Sequence, residues 1–125
     1  MPDVKKVLIV DDEPHILRSL GFVLKKAGYG VLEARSGAEA LDVMQQERPE
    51  LVFLDIMMPE LDGYEVCRRI KSRHDLATYV IMLTAKGQQA DREEGMAAGA
   101  DEYMTKPFSP SRALQRVQAV LHGSD

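Results

Sequence analysis

The sequence is poor in the features that would place it in several large classes. It has a single cysteine, Cys67, so no intrachain disulfide can form, and that thiol is expected to serve as a small hydrophobe on a helix face. No apolar run approaches the ~20 residues that span a bilayer, and nothing resembles a signal peptide. Positive charge is not in excess. With a net charge of −4, the overall field should not draw the chain to nucleic acid or anionic lipid. Internal repeats, low-complexity tracts and linkers are absent as well. What remains is the expectation of a single domain, residues 1–125, cytoplasmic, with no membrane contact and no direct nucleic-acid binding. An apolar share of 45% and a charged share of 29% are those of a globular protein that needs no staples.

The stretch Glu50 to Pro59 organises the reading of everything else. Leu51 to Leu54 form an apolar, partly β-favouring run between Pro49 and Pro59, short enough to be a strand buried on both faces. The run surfaces at Asp55. A carboxylate there serves either as a helix N-cap or as a reagent at the sheet edge, and Ile56-Met57-Met58-Pro59 is no helix start. Open α/β sheets place their sites at the carboxyl ends of strands, which favours the second use.

Taken in order, the chain reads as β-α repeated five times. Val4–Val10 is a strand ending in Asp11-Asp12. Glu13–Ala27 is a helix, since Ile16, Leu17, Leu20, Val23, Leu24 and Ala27 recur at the helical period, with Pro14 in the first turn and Gly28 past the end. Val31–Ala34 is a strand, and Ser36 to Glu39 has capping-box spacing for a helix that runs to Glu47. After Asp55, Asp62 can cap a third helix with Val66, Cys67 and Ile70 inward. Tyr79–Leu83 is a strand ending in Thr84. A fourth helix over Gln88–Ala98 has only Met96 as a large hydrophobe. Asp101–Thr105 is a strand ending in Lys106, and Ser109-Pro110 opens a last helix with Ala113, Leu114, Val117, Val120 and Leu121 inward. Alternation of this kind predicts an α/β fold with a doubly wound, five-stranded parallel sheet, all strand ends on one edge.

Four strand ends then bring Asp11, Asp12, Asp55, Thr84 and Lys106 together. Asp12 could instead cap a helix, Thr84 sit in a turn and Lys106 be a solvated charge, but their convergence favours a site. Three carboxylates on one edge repel one another by more than one lysine can cancel, and a bound divalent cation would relieve this. The donors are hard oxygens, with no His or Cys at a strand end, which selects Mg²⁺ or Mn²⁺ over zinc. A metal, an ammonium and a hydroxyl around one further carboxylate suit phosphoryl transfer onto Asp55. Asp11 and Asp12 would hold the metal, with Lys106 and Thr84 on phosphoryl oxygens. His15, His74 and His122 share no spacing and read as surface residues. The Arg68, Arg69, Lys71, Arg73 cluster reads as a solvated face.

Asp11-Asp12, Asp55 with Met-Met-Pro after it, Asp62-Gly63, Thr84-Ala85 and Lys106-Pro107-Phe108 together resemble the receiver domain of two-component response regulators, over residues 5 to 121. The resemblance implies a CheY-like, flavodoxin-like fold with strand order 2-1-3-4-5. It also implies that Asp55 is phosphorylated by a sensor histidine kinase or phosphotransfer protein, with Mg²⁺ required. Further implications are that the Met57 backbone carbonyl joins the metal shell, that Lys106-Pro107 is a cis peptide, and that Tyr103 turns inward when Thr84 is drawn to the phosphoryl group. In such a protein the chemistry is confined to its own phosphorylation and dephosphorylation, so it is not expected to be an enzyme. The last helix departs from many receivers in having Arg112 and Ala113 where an acidic residue and Leu are usual.

Two rivals are weighed against this. An Asp-nucleophile phosphatase would want a second Asp two residues after the nucleophile, where this chain has Met57, which cannot exchange a proton. A non-phosphorylated scaffold should have lost one of the five polar residues, and none is lost. The face made by the fourth helix, fifth strand and last helix carries Glu93, Glu94, Asp101 and Glu102 near Arg112 and Arg116. Those charges suit either pairs within one molecule or a homodimer formed on phosphorylation.

Overall fold

Three stretches of this chain are wholly buried, Val7 to Val10, Leu51 to Leu54 and Val80 to Leu83, and they form the central strands of a parallel sheet. The computed structural model describes residues 4–56, 63–72, 77–85 and 98–122. The strands are β1 (Lys6–Val10), β2 (Gly30–Ala34), β3 (Leu51–Asp55), β4 (Tyr79–Ala85) and β5 (Glu102–Lys106). Their order is β2-β1-β3-β4-β5, all pairings parallel, as expected.

Alternate residues of the sheet feed two cores, the two-residue period of a strand buried on both sides. Leu8, Val10, Val52, Leu54, Val80 and Met82 face α2 (Gly37–Glu47) and α3 (Gly63–Lys71), meeting Ala40, Met44, Val66, Cys67 and Ile70. Val7, Ile9, Leu51, Phe53, Ile81 and Leu83 face α1 (Pro14–Lys26) and the C-terminal helix (Pro110–His122), meeting Leu17, Leu20, Leu24, Ala113 and Val117. Each fully buried Leu, Ile or Phe contributes roughly 1.5–3 kcal/mol of hydrophobic stabilisation. Leu114, Val120 and Leu121 pack at the rim of the second core. Cys67 is buried, its Sγ 3.6 Å from the Ala98 carbonyl oxygen, and burial pushes its thiol up to about 11, in keeping with the small-hydrophobe expectation.

Boundaries differ from expectation where local chemistry competes. Val4 is exposed and outside β1. Thr84 lies inside β4, which runs on to Ala85, because Thr84 and Ala85 still pair with Thr105 and Lys106 of β5. The Ser36 hydroxyl accepts from the Glu39 amide at 3.2 Å as predicted, but the Glu39 carboxylate returns to the Arg35 amide at 2.8 Å, one residue earlier than a capping box requires. Gly28, at φ +100, follows α1 as its stop signal predicts. The fourth helix predicted over Gln88–Ala98 lies outside the described residues except for Ala98, which is in a turn; Asp62, Arg73 and His74 also lie outside them.

Candidate functional site

Because the sheet is all-parallel, β1, β3, β4 and β5 deliver their last side chains to one edge. Asp55 ends β3 and is buried, 6% exposed. Asp11 follows β1 and is fully buried, its amide bonded to the Ala34 carbonyl at 3.1 Å. One oxygen of Asp11 accepts from the Glu13 amide at 2.9 Å. That bond shapes the turn into α1, whose N-cap is Glu13 with no side-chain cap of its own. Asp12 is therefore not the cap, and its exposed carboxylate joins the edge. One oxygen each from Asp11, Asp12 and Asp55 lie within 4.8 Å of one another.

Lys106, at the end of β5, is the cation that meets this cluster. Its Nζ donates to Glu13 Oε2 at 2.7 Å and to Asp55 Oδ2 at 3.1 Å. It also stands 2.9 Å from Asp11 Oδ2, but off the direction of a hydrogen bond, which leaves that buried oxygen without a hydrogen-bond partner. Burial alone would depress the Lys106 ammonium. Glu13, Asp11 and the charge of Asp55 outweigh it and hold the group above the usual lysine range. The hydrogen bond from Lys106 in turn lowers Glu13.

Four carboxylates thus share one ammonium among the described residues. At ~5 Å each like-charge pair among Asp11, Asp12 and Asp55 costs on the order of 3 kcal/mol if the effective dielectric constant is about 20. A divalent cation bound by Asp11, Asp12 and Asp55 would remove that cost and satisfy the Asp11 Oδ2 that accepts no hydrogen bond, and the all-oxygen donor set fits Mg²⁺ or Mn²⁺.

The other predicted residues are placed as follows. Thr84 is buried in β4, one step past Leu83, which is opposite Asp55. Tyr103 of β5 is half-buried against the α2–α3 core. Lys106-Pro107 is cis. Met57 lies outside the described residues. Glu13 was not anticipated, although the unbroken Asp11-Asp12-Glu13 run after a buried strand was a signal for it.

The face suggested for dimerisation is engaged differently from a simple intermolecular pairing. Arg116 grips Glu102 within the chain through Nε (2.6 Å) and a terminal nitrogen (2.7 Å), and Tyr79 donates to the same carboxylate at 2.7 Å. Asp101 is held by Lys71 at 2.8 Å. The described charges therefore take the intramolecular option, while Glu93 and Glu94 lie outside the described residues. Arg68 and Arg69 pair with Glu65 on α3, a solvated face as expected. His15 is largely exposed, as is His122, whose ring lies 5.6 Å from that of Tyr29.

Comparison with known proteins agrees with this geometry. The family described as "Response regulator receiver domain" matches residues 7–118. The chain is 46% identical over 121 residues to the alkaline phosphatase synthesis transcriptional regulatory protein PhoP of Bacillus subtilis, covering 97% of this chain and 50% of that protein. It is 51% identical over 117 residues to the probable transcriptional regulator ycf27 of Guillardia theta, covering 94% of this chain and 45% of the other. The chain spans about half the length of these curated relatives. Among solved structures, the CheY-like receiver domain protein of Methanospirillum hungatei superposes with a TM-score of 0.89 at 30% identity, over 96% of this chain and 95% of that one. DrrB of Thermotoga maritima, an OmpR/PhoB homolog, gives 0.86 at 37% identity, over 96% of this chain and 54% of its own.

Proposed function

The chain belongs to the response regulator receiver domain family, and from that premise we propose that Asp55 accepts a phosphoryl group from the phosphohistidine of a sensor histidine kinase or a phosphotransfer protein. The observation that carries the assignment is the buried Asp55 carboxylate with Lys106 Nζ at 3.1 Å, beside an Asp11 Oδ2 that accepts no hydrogen bond. In the transfer an Asp55 oxygen attacks phosphorus, the phosphorus–nitrogen bond breaks, and the imidazole leaves. Asp11, Asp12 and Asp55 would hold Mg²⁺, which would supply charge neutralisation for the two anionic partners. Lys106, kept cationic by Glu13 and Asp11, orients the acceptor oxygen and afterwards pairs with the phosphoryl group. The Thr84 hydroxyl is the second donor to that group. No separate substrate is turned over, so the domain is a switch rather than an enzyme.

The donor docks beside Lys106. A cleft of about 410 Å³ opens there between α1 and the start of the C-terminal helix, lined by His15, Ile16, Ser19, Pro107, Phe108 and Pro110. Output is carried by displacement of Thr84 and Lys106, which β4 and β5 transmit through Tyr103 toward Glu102 and Arg116. That movement acts on a second copy or on an output domain, the regulators related to this chain being about twice its length. A two-fold dimer that exchanged this pair across its axis would need Arg116 to leave Glu102. Sedimentation with and without beryllofluoride, a phosphoryl mimic, tests it. A mass that stays monomeric when Asp55 is fully modified removes the dimer.

The test of the central assignment is Asp55→Asn, which is expected to abolish Mg²⁺-dependent labelling by acetyl phosphate. Undiminished labelling in that variant would refute the assignment and favour a phosphate-independent scaffold.

A further inference from the structure

Gly63 opens α3 directly against the main chain that carries the acceptor. Its amide donates to the Ile56 carbonyl at 3.1 Å. A Cβ built on Gly63 would stand 2.5 Å from Ile56 Cα, 2.6 Å from the Asp55 carbonyl oxygen and 3.2 Å from the Asp55 carbonyl carbon. All three are backbone atoms at the end of β3, where Asp55 pairs with Leu83 and the Ile56 amide bonds the Leu83 carbonyl, so the clash is with main chain and not with the free end of a side chain. The glycines with positive φ are Gly28 and Gly99, so among the described residues Gly63 is required for room rather than for a left-handed backbone. Relief of the clash has one direction open to it that matters chemically: the Asp55–Ile56 peptide tilts, and the Asp55 carboxylate moves relative to Lys106 and Asp11.

We propose that Gly63 is a positioning residue: its missing side chain lets α3 brace the Asp55–Ile56 peptide and fixes the Asp55 carboxylate at its 3.1 Å separation from Lys106. The inference rests on Asp55 being the phosphoacceptor. It predicts that one methyl group outside the reacting constellation disables the site without unfolding the sheet, since small misplacements of reacting groups carry large rate penalties.

Gly63→Ala is compared with Gly21→Ala, an identical change in α1 where the added Cβ would meet Val31 and Glu33 side chains at an ordinary 3.7 and 3.8 Å. Folding is checked by circular dichroism well below the melting temperature. Labelling of Asp55 by acetyl phosphate is expected to fall by roughly tenfold or more in Gly63→Ala and to stay at the wild-type level in Gly21→Ala. In metal-free protein, the largest amide shifts of Gly63→Ala should fall on Asp55, Ile56 and Leu83, whose carbonyl lies 3.4 Å from the Ile56 amide. Undiminished labelling in folded Gly63→Ala overturns the proposal. So do amide shifts spread evenly through the domain, which mark a merely structural role. If Gly63→Ala alone does not fold, it is placed in the Gly21→Ala background, which favours the helix; failure to fold there also overturns the proposal. Absent labelling of the wild type would instead remove the acceptor reading, and the metal-free amide shifts would still decide whether Gly63 positions Asp55.

Discussion

The two edges of the sheet both carry carboxylates, Asp11 and Asp55 buried at the carboxyl edge and those at the other part-buried or exposed, and they differ in balance. At the amino-terminal edge Glu50, Asp101 and Glu102 each have partners of their own. Glu50 accepts from the Lys6 amide at 2.7 Å, and Asp101 takes both the Val80 amide and Lys71 at 2.8 Å. Glu102 takes Tyr79 at 2.7 Å and two nitrogens of Arg116. At the carboxyl edge Asp11, Asp12, Glu13 and Asp55 crowd round Lys106, and Asp11 Oδ2 is left without a hydrogen bond. Polarity at a strand end is thus no mark of a site. Imbalance is, because a fold retains uncompensated charge only where something else is meant to complete it.

Lys106→Met attacks the comparison most directly. It leaves four carboxylates with no ammonium, and breaking a buried ion pair from one side is expected to destabilise the metal-free protein by about 3 kcal/mol. Added Mg²⁺ should restore more stability to this variant than to the wild type. Urea unfolding with and without Mg²⁺ measures both, and equal recovery in the two proteins would show that the ion does not neutralise this edge.

Arg116→Met is the matching change at the other edge. Glu102 loses its bidentate partner but keeps Tyr79 and some solvent contact, so a loss of about 1–2 kcal/mol is expected, insensitive to Mg²⁺. A Mg²⁺-dependent loss would mean that the two edges are coupled in the resting protein.

The carboxyl edge was largely legible in the sequence, and the amino-terminal edge was not. Short apolar runs located β1, β3 and β4, the β-α alternation placed β5, and parallel topology brought Asp11, Asp12, Asp55, Thr84 and Lys106 to one side without any knowledge of distances. Glu13 was missed because its role depends on where α1 begins. Pro14 starts the helix, Asp11 turns the chain by accepting from the Glu13 amide, and only then does Glu13 reach Lys106, which is remote in sequence. Glu102 and Arg116 were noticed as charges, but whether they met within one chain depended on the facing of β5 against the C-terminal helix. The steric role of Gly63 was invisible for a similar reason: nothing local records how near α3 comes to the Ile56 backbone.

Asp12→Ala should act in the opposite direction from Lys106→Met. Removing an exposed member of the crowded cluster relieves repulsion, so the melting temperature in EDTA should rise, by ~0.5–1 kcal/mol of stability, and most of the gain from added Mg²⁺ should disappear. Mg²⁺ stabilisation that persists unchanged in Asp12→Ala would argue against direct coordination by this residue.

The smallest effect separates the edges by pH. Burial would raise the Glu102 carboxyl, but the Arg116 guanidinium and the Tyr79 hydroxyl outweigh it and hold the group below its usual value of 4.5. A carboxylate depressed in the folded state adds stability that is fully present above its unfolded pKa and is lost as pH falls through the folded one. Stability contributed by Glu102 should therefore be constant from neutrality down to about pH 5 and decline only in more acidic solution. Arg116 stays protonated throughout and adds no titration of its own. In Arg116→Met the Glu102 carboxyl is freed to rise, so the acid limb of the stability curve should flatten, by under about 1 kcal/mol because the pair is partly exposed. Chemical denaturation of wild type and Arg116→Met between neutral and acidic pH, in EDTA, measures the difference. If the two curves stay parallel on the acid side, the Glu102–Arg116 contact does not hold in solution, and the amino-terminal edge is less fully paired than its geometry indicates.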